Sequence, residues 1–322
     1  MKKITIGITY DLKTDYRKLG YSVAECAEFD AIETIDAIEN ALNHLGYKTV
    51  RIGNLFALIE RLNKGEKWDL VFNIAEGMYG YGREAQIPTL LEAYQIPFTF
   101  SDSLVCAITL HKGMSKRIVK YAGMPTSAFA EIYKIEDIDR INFGFPMFVK
   151  PLAEGSSKGI HSDSLIESEM NLREIISTKL SQTSGGLLVE EFLSGREFTT
   201  AILAGKVLGT MEVVPKSGKQ TVYGFDEKQE YTQRIEYLIP EKDIQNTCSR
   251  LALQVWELFK CRDASRVDFK MNSHNEINFI EINPLAGLHP VDSDLIIIAG
   301  FMGIAYVDII REIVESALSR YK

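Results

Sequence analysis

"RVDFKMNSHNEINFIEINP", residues 266–284, is the stretch on which the fold turns. Apolar residues alternate on either side of a polar segment, so it reads as two strands joined by a turn. The apolar pattern is broken at the ends by Arg266, Asp268, Glu281 and Asn283. A strand repeats every two residues, which puts Glu281 and Asn283 on one face. Asp268, Glu281 and Asn283 offer only oxygen ligands, the kind that suits magnesium. That ion keeps most of its waters and binds through one or two carboxylates together with substrate phosphates, so the hairpin predicts a bound nucleotide rather than a self-contained metal cage.

A nucleotide needs cations and backbone donors, and "FVKPLAEGSSKG" (148–159) brings them together: Lys150 at a strand end, then Gly155, Ser156, Ser157, Lys158 and Gly159. Small residues let backbone N–H groups approach phosphate oxygens. The spacing matches neither a Walker loop nor a dinucleotide fingerprint. "GSSKG" has the form of a hydrolase elbow, but Pro151 follows the strand and no helix follows the serine, so that reading fails. Further on, "LLVEEFLSGREF" (187–198) ends a strand with Glu190 and Glu191 and carries Glu197 past a turn.

Towards the N-terminus the pattern changes. "KITIGITY" (3–10), "YKTVRIG" (47–53) and "DLVFNIA" (69–75) read as strands, and "ETIDAIENALNHLG" (33–46) as a helix stopping at Gly46. Strands alternating with helices predict a doubly wound parallel sheet, with ligands at the strand carboxyl ends and hence near "AEGMYGYGRE" (75–84). "HKGMSKRIVKYAGMP" (111–125) reads on its own as a solvated basic helix. The segment 216–237 is long, polar and irregular, as in a loop that covers a site.

Bulk properties narrow the function classes. The 322 residues are 46% hydrophobic and 25% charged, enough for two or three packed units. A net charge of -8 argues against nucleic-acid or anionic-membrane partners. No apolar run is long enough for a membrane span, and "MKKITIGITYDLK" has no signal-peptide core, so a cytoplasmic protein is expected. Cys26, Cys106, Cys248 and Cys261 form no C-x-x-C pair and the five histidines are scattered, so the spacing signals neither a zinc site nor a redox pair.

Taken in order, these motifs resemble the ATP-grasp superfamily and, within it, the D-alanine:D-alanine ligase family, over nearly the whole chain. "FVKPLAEGSSKG", "LLVEEFLSGREFT" and "RVDF…FIEINPLAG" are similar to three of the family's motifs. The resemblance implies an α/β N-terminal domain with a doubly wound parallel sheet (1–105), followed by an α+β two-subdomain ATP-grasp fold (106–190 and 191–322). It implies an ATP-dependent ligase that forms a peptide or amide bond through an acyl phosphate. Lys112, Lys150 and Glu154 would contact or cover ATP phosphates together with Ser156 and Ser157. Glu190, Glu191, Phe192 and Leu193 would form the adenine edge, and Glu197 would hold ribose. Lys228 would reach phosphate from the long loop. Asp268, Glu281 and Asn283 would hold two magnesium ions, with manganese as a substitute, and Arg266 would meet the reacting centre. Amino-acid or small peptide substrates and a homodimer are implied by the same resemblance.

The substrate-side motifs depart from the family. Its histidine before the Gly-rich loop is replaced by Glu76, and Arg83 enters that loop. Gln229 stands where a tyrosine follows the loop lysine, and Tyr231 is displaced. After Asn283 the chain has "PLAGLHPVDSDL", with Asp292 and Asp294 flanking Ser293 where the family places a serine that receives a carboxylate. Glu76, Arg83, Gly287 and Asp294 are therefore the candidate substrate contacts. Substrates other than two D-alanines, or a nucleotide-binding module without catalysis, are the alternative readings.

Overall fold

The computed structural model describes residues 3–155, 158–183, 185–216 and 235–321. Ser156, Ser157, Lys228 and most of the 216–237 loop, with Gln229 and Tyr231, lie outside the described residues.

The first part of the chain runs β1 (Thr5–Thr9), α1 (Lys13–Lys18), α2 (Ile32–His44), β2 (Lys48–Gly53), α3 (Leu55–Asn63), β3 (Leu70–Asn73), α4 (Gln86–Ala93) and α5 (Ser103–Leu110). Its strands are parallel in the order β2-β1-β3, as the alternation predicts. In α2, Ile35, Ile38, Ala41 and Leu42 recur at helical spacing and all are buried. The chain leaves that helix through Gly46, whose φ of 92° costs glycine little. Asn54 opens α3 by accepting the Ala57 N–H at 3.2 Å. Apolar clusters on both faces of the sheet, one with α2 and one with α3 and α4, make it doubly wound.

Next come α6 (Lys112–Tyr121), β4 (Phe129–Ile132), β5 (Met147–Pro151), β6 (Leu165–Ile166), α7 (Glu169–Gln182) and β7 (Leu187–Glu191). Their strands form an antiparallel sheet, β4-β7-β5-β6, backed by α7 through Leu172 and Ile176. The rest is β8 (Glu197–Leu203), β9 (Lys206–Pro215), β10 (Ile235–Leu238), α8 (Lys242–Phe259), β11 (Ala264–Met271), β12 (Ile277–Asn283), α9 (Asp294–Phe301) and α10 (Tyr306–Arg320). These five strands are antiparallel in the order β10-β9-β8-β11-β12. A two-residue turn joins β8 to β9, with Ala204 and Gly205 both at positive φ (49° and 75°), the geometry that matches strand twist in a tight hairpin.

The last helix returns to the first sheet. Ile309, Ile310, Ile313 and Val314 of α10 share one buried cluster with Ile6 and Ile8 of β1, Phe72 of β3, and α2. Asp263, fully buried before β11, pins this return: its carboxylate accepts the Phe100 N–H at 2.6 Å and pairs with the Arg320 guanidinium, which also donates to the Phe98 carbonyl at 3.1 Å. No helix among the described residues is long and apolar enough to cross a membrane. All four cysteines are buried free thiols.

Candidate active site

The parallel sheet and the two antiparallel sheets enclose a cleft of ≈ 1220 Å³. Small-molecule pockets usually occupy about 300–1,000 Å³, so there is room for a nucleotide and a second molecule.

The 266–284 hairpin forms one wall. Its register sets Arg266 opposite Asn283 and Asp268 opposite Glu281, and then slips so that Phe269 faces Phe279. The four polar residues that interrupt the apolar pattern thus sit side by side in the cleft. Arg266 Nε lies 2.9 Å from Asp268 Oδ1 and Nη2 2.9 Å from Oδ2, while Nη1 lies 2.9 Å from Asp294 Oδ2. Asn283 Nδ2 donates to Asp268 Oδ2 at 3.2 Å, and the Thr199 hydroxyl, from the facing residue of β8, donates to Asp268 as well. Burial pushes the Asp268 carboxyl up against the pull of Arg266, and neighbouring Glu281 adds to the rise. Burial also raises Glu281, but Lys112 and Lys150 more than reverse it and hold that carboxyl at about 2. Two crowded oxygen donors and an amide fit a divalent cation. Among the described residues no three Asp, Glu, His or Cys side chains form a closed metal cage, which agrees with an ion that takes its remaining ligands from phosphate and water.

The opposite wall supplies the cations. Lys112, the first residue of α6, lies 2.9 Å from Glu281 Oε2 and donates to the Glu154 carbonyl at 2.8 Å. Lys150, on β5, lies 2.6 Å from Glu190 Oε1. The other Glu190 oxygen is 2.7 Å from Lys116 Nζ and accepts the Ser127 hydroxyl at 3.0 Å. Burial raises the Glu190 carboxyl, but Lys116 and Lys150 outweigh it and keep the group ionised far below its ordinary range. The expectation of a solvated α6 is therefore corrected. Lys112 and Lys116 are four apart, share one helical face, and are both buried against carboxylates, Lys116 completely.

The other expected residues divide between the cleft and its supports. Glu154, Glu191, Phe192, Leu193, Glu197, Glu76, Gly287 and Asp294 line the cleft. Strand alternation turns Glu190 inward and leaves Glu191 exposed. The Glu191 and Phe192 N–H groups are already engaged, by the Ala128 and Pro146 carbonyls at 2.9 and 3.1 Å. Glu197 is paired with Lys270 at 2.9 Å. Gly287 is closely hemmed, since a Cβ there would come within 2.9 Å of Ser293 Oγ. Arg83, expected as a substrate contact, lies instead behind the cleft lining. Its Nη2 sits 2.8 and 2.9 Å from the two Glu28 oxygens, and its Nη1 donates to the Ala153 carbonyl at 2.6 Å. Glu28 in turn accepts the Gly155 N–H, so the pair ties the first domain's loop to the glycine-rich loop.

Several participants carried little signal in the sequence. Lys116 was legible only as the fourth residue after Lys112. Glu28, Thr199 and Asp30 stand in no motif and Glu84 closes the Gly-rich stretch 75–84, and all four line the cleft. Burial raises Asp30 and Glu84 to about 7 each. Glu76 is pushed well up by burial and by the nearby charges of Glu84, Glu28 and Asp30.

Known proteins share this architecture and its sequence. Residues 117–315 match a family model described as D-ala D-ala ligase C-terminus. A D-alanine--D-alanine ligase of Aquifex aeolicus is 31% identical over 261 residues, covering 80% of this chain and 86% of that protein. One of Pelotomaculum thermopropionicum is 30% identical over 306 residues, covering 89% and 92%. Among solved structures, a D-alanine--D-alanine ligase from Bacillus anthracis complexed with ATP superposes with a TM-score of 0.75 at 23% identity over 98% of each chain. The VanG D-Ala:D-Ser ligase from Enterococcus faecalis does so with a TM-score of 0.76 at 17% identity, covering 98% of this chain and all of that one.

Proposed function

Since this chain belongs to the D-alanine--D-alanine ligase family, we propose that it spends ATP to join a carboxylate to an amine through an acyl phosphate, with amino acids as substrates. The observation that carries the reading is the convergence of Lys112 and Lys150 with Asp268, Glu281, Asn283 and Arg266 on one cleft. Residues 1–105 supply the wall that faces the substrates, and 106–190 with 191–322 hold the nucleotide between their sheets.

The chemistry follows from charge. A carboxylate oxygen attacks the γ-phosphorus and ADP leaves; both reactants are anions, and they meet only where positive charge offsets them. Lys112 and Lys150 lie 2.9 and 2.6 Å from Glu281 and Glu190, in reach of phosphate oxygens in the cleft. Magnesium, held by Asp268, Glu281 and Asn283 together with the phosphates, would supply the remaining neutralisation. The amine nitrogen then attacks the acyl carbon, phosphate leaves, and the nitrogen loses a proton. Arg266 is placed to stabilise the oxyanion of that step, a role whose loss costs about 10²- to 10³-fold in rate. The Glu28–Arg83 tie positions the glycine-rich loop. Ser156, Ser157 and Lys228 would complete the phosphate cover and keep water from the acyl phosphate.

ADP and phosphate release should appear only when ATP and magnesium are joined by a carboxylate substrate, D-alanine being the first to test. Asp268→Asn and Glu281→Gln should each lower that release at least 100-fold. Unchanged ATP consumption in both variants would refute the metal assignment.

A further inference from the structure

We propose that His111 is a positioning residue for Lys112, holding the first turn of α6 so that the lysine reaches the phosphate side of the cleft; this rests on the nucleotide-binding part of the reading above. The stretch "HKGM" (111–114) is a poor start for a helix. Lys112 sets a cation at the positive end of the helix dipole, and Gly113 follows with the residue least inclined to stay helical apart from proline. Yet Lys112 is the first residue of α6, so its place depends on that turn.

The turn is held from His111. Its carbonyl opens the helical ladder by accepting the Ser115 N–H at 3.1 Å, and its Nδ1 accepts the Met114 N–H at 3.2 Å, one of the donors that a helix start leaves open. Another of those donors, the Lys112 N–H, goes to the Leu152 carbonyl at 2.9 Å. An imidazole nitrogen accepts only when it carries no proton, so the ring hydrogen belongs on Nε2. The far side of the ring agrees. Nε2 lies 3.4 Å from the Tyr133 hydroxyl, which spends its own hydrogen on Glu131 Oε2 at 2.9 Å and so is left to accept. Glu131 packs against Gly113, where any Cβ would collide with Oε1, and is paired with Arg117 at 3.0 Å. Glycine is thus required where it weakens the helix, and the cap offsets the loss. Tyr81, from the Gly-rich loop of the first domain, covers the ring at 5.3 Å between centroids, and its hydroxyl donates to the Gly185 carbonyl. His111 is buried and is not part of the cleft lining, so it acts through Lys112 rather than on a ligand.

Calorimetric titration of the full chain with magnesium and AMP-PNP, a non-hydrolysable ATP analogue, tests the role: the stoichiometry reports the folded fraction and Kd reports the site. His111→Ala should weaken Kd about 5-fold, the loss of one helix cap. His111→Asn, which restores a cap acceptor, should stay within about 2-fold of wild type. Lys112→Met should weaken Kd by about 10-fold or more, the loss of a charged hydrogen bond. In that background His111→Ala should add less than about 2-fold, because a residue that acts through Lys112 has nothing left to position. Wild-type Kd in His111→Ala, failure of His111→Asn to rescue, or the same loss retained in the Lys112→Met background would each overturn the positioning role and leave the nucleotide assignment standing. Unchanged Kd in Lys112→Met would overturn the phosphate role of Lys112 and this inference with it. Should His111→Ala fail to fold, Tyr133→Phe carries the test. It strips Nε2 of its acceptor and should weaken Kd by about 2-fold or more, and wild-type binding there would overturn the inference.

Discussion

Replacing Lys116 with methionine tests the buried charge cluster behind the nucleotide wall. The methionine keeps the volume and removes the ammonium, which has no solvent exposure and lies 2.7 Å from Glu190 Oε2 and 2.9 Å from Ser127 Oγ. Breaking a buried ion pair from one side costs about 3–5 kcal/mol, because the partner stays desolvated with its charge. Glu190 keeps Lys150 at 2.6 Å and the Ser127 hydroxyl, so the lower end, about 3 kcal/mol, applies here. An unfolding entropy of about 2.1 cal/mol/K per residue over 322 residues is roughly 0.7 kcal/mol/K, which converts that cost to a Tm lowered by about 4 °C. Glu190→Gln should cost more, about 5 kcal/mol, since it leaves two buried ammonium groups unanswered. The double variant should fall short of the summed losses by about 2 kcal/mol. Differential scanning calorimetry of the four proteins completes the cycle. A Lys116→Met shift under about 1 °C, or additivity within about 0.5 kcal/mol, would show that the cluster does not hold Glu190 as described.

Glu84 predicts a pH-dependent gain. Burial raises its folded pKa to about 7, so its contribution favours folding below the ordinary carboxylate value of 4.5 and is lost as pH rises towards and past 7. Glu84→Gln should therefore stabilise the protein by about 3 kcal/mol at pH 8 and by almost nothing at pH 4, as read by paired thermal melts; a gain confined to pH 4 would reverse the assigned sign. Arg320→Ala strips the partner from fully buried Asp263 and should lower Tm by about 4 °C, the same cost of about 3 kcal/mol as above. Calorimetry that finds Tm unchanged would show that the return of α10 to the first sheet does not depend on this pair.

Short-range patterns made much of this molecule legible. The period-two alternation of 266–284 and the helical spacing of Ile35, Ile38 and Leu42 each reflect a repeat of the backbone itself, so they survive without knowledge of the fold. Helix α9, "DLIIIAGF", is apolar on all sides and shows no periodic face, which is why it goes unmarked between the hairpin and α10. The site divides in the same way. Lys150, Asp268, Glu281 and Asn283 stand in compact motifs. Glu28, Lys116 and Thr199 act through partners 127, 74 and 69 positions away in the chain, at Gly155, Glu190 and Asp268, and no local spacing encodes such a meeting.

Residue type and local period, from the sequence by itself, determined the parallel α/β unit at the start of the chain and the compact grouping of oxygen donors and lysines in its later motifs. Only the tertiary structure decided which charges are available to a substrate. The ladder register sets Asp268 against Glu281, the packing of α6 sinks Lys116 against Glu190, and the start of α9 delivers Asp294 to Arg266. A charge acts according to its distance from other charges and from water, and both distances are properties of the folded chain.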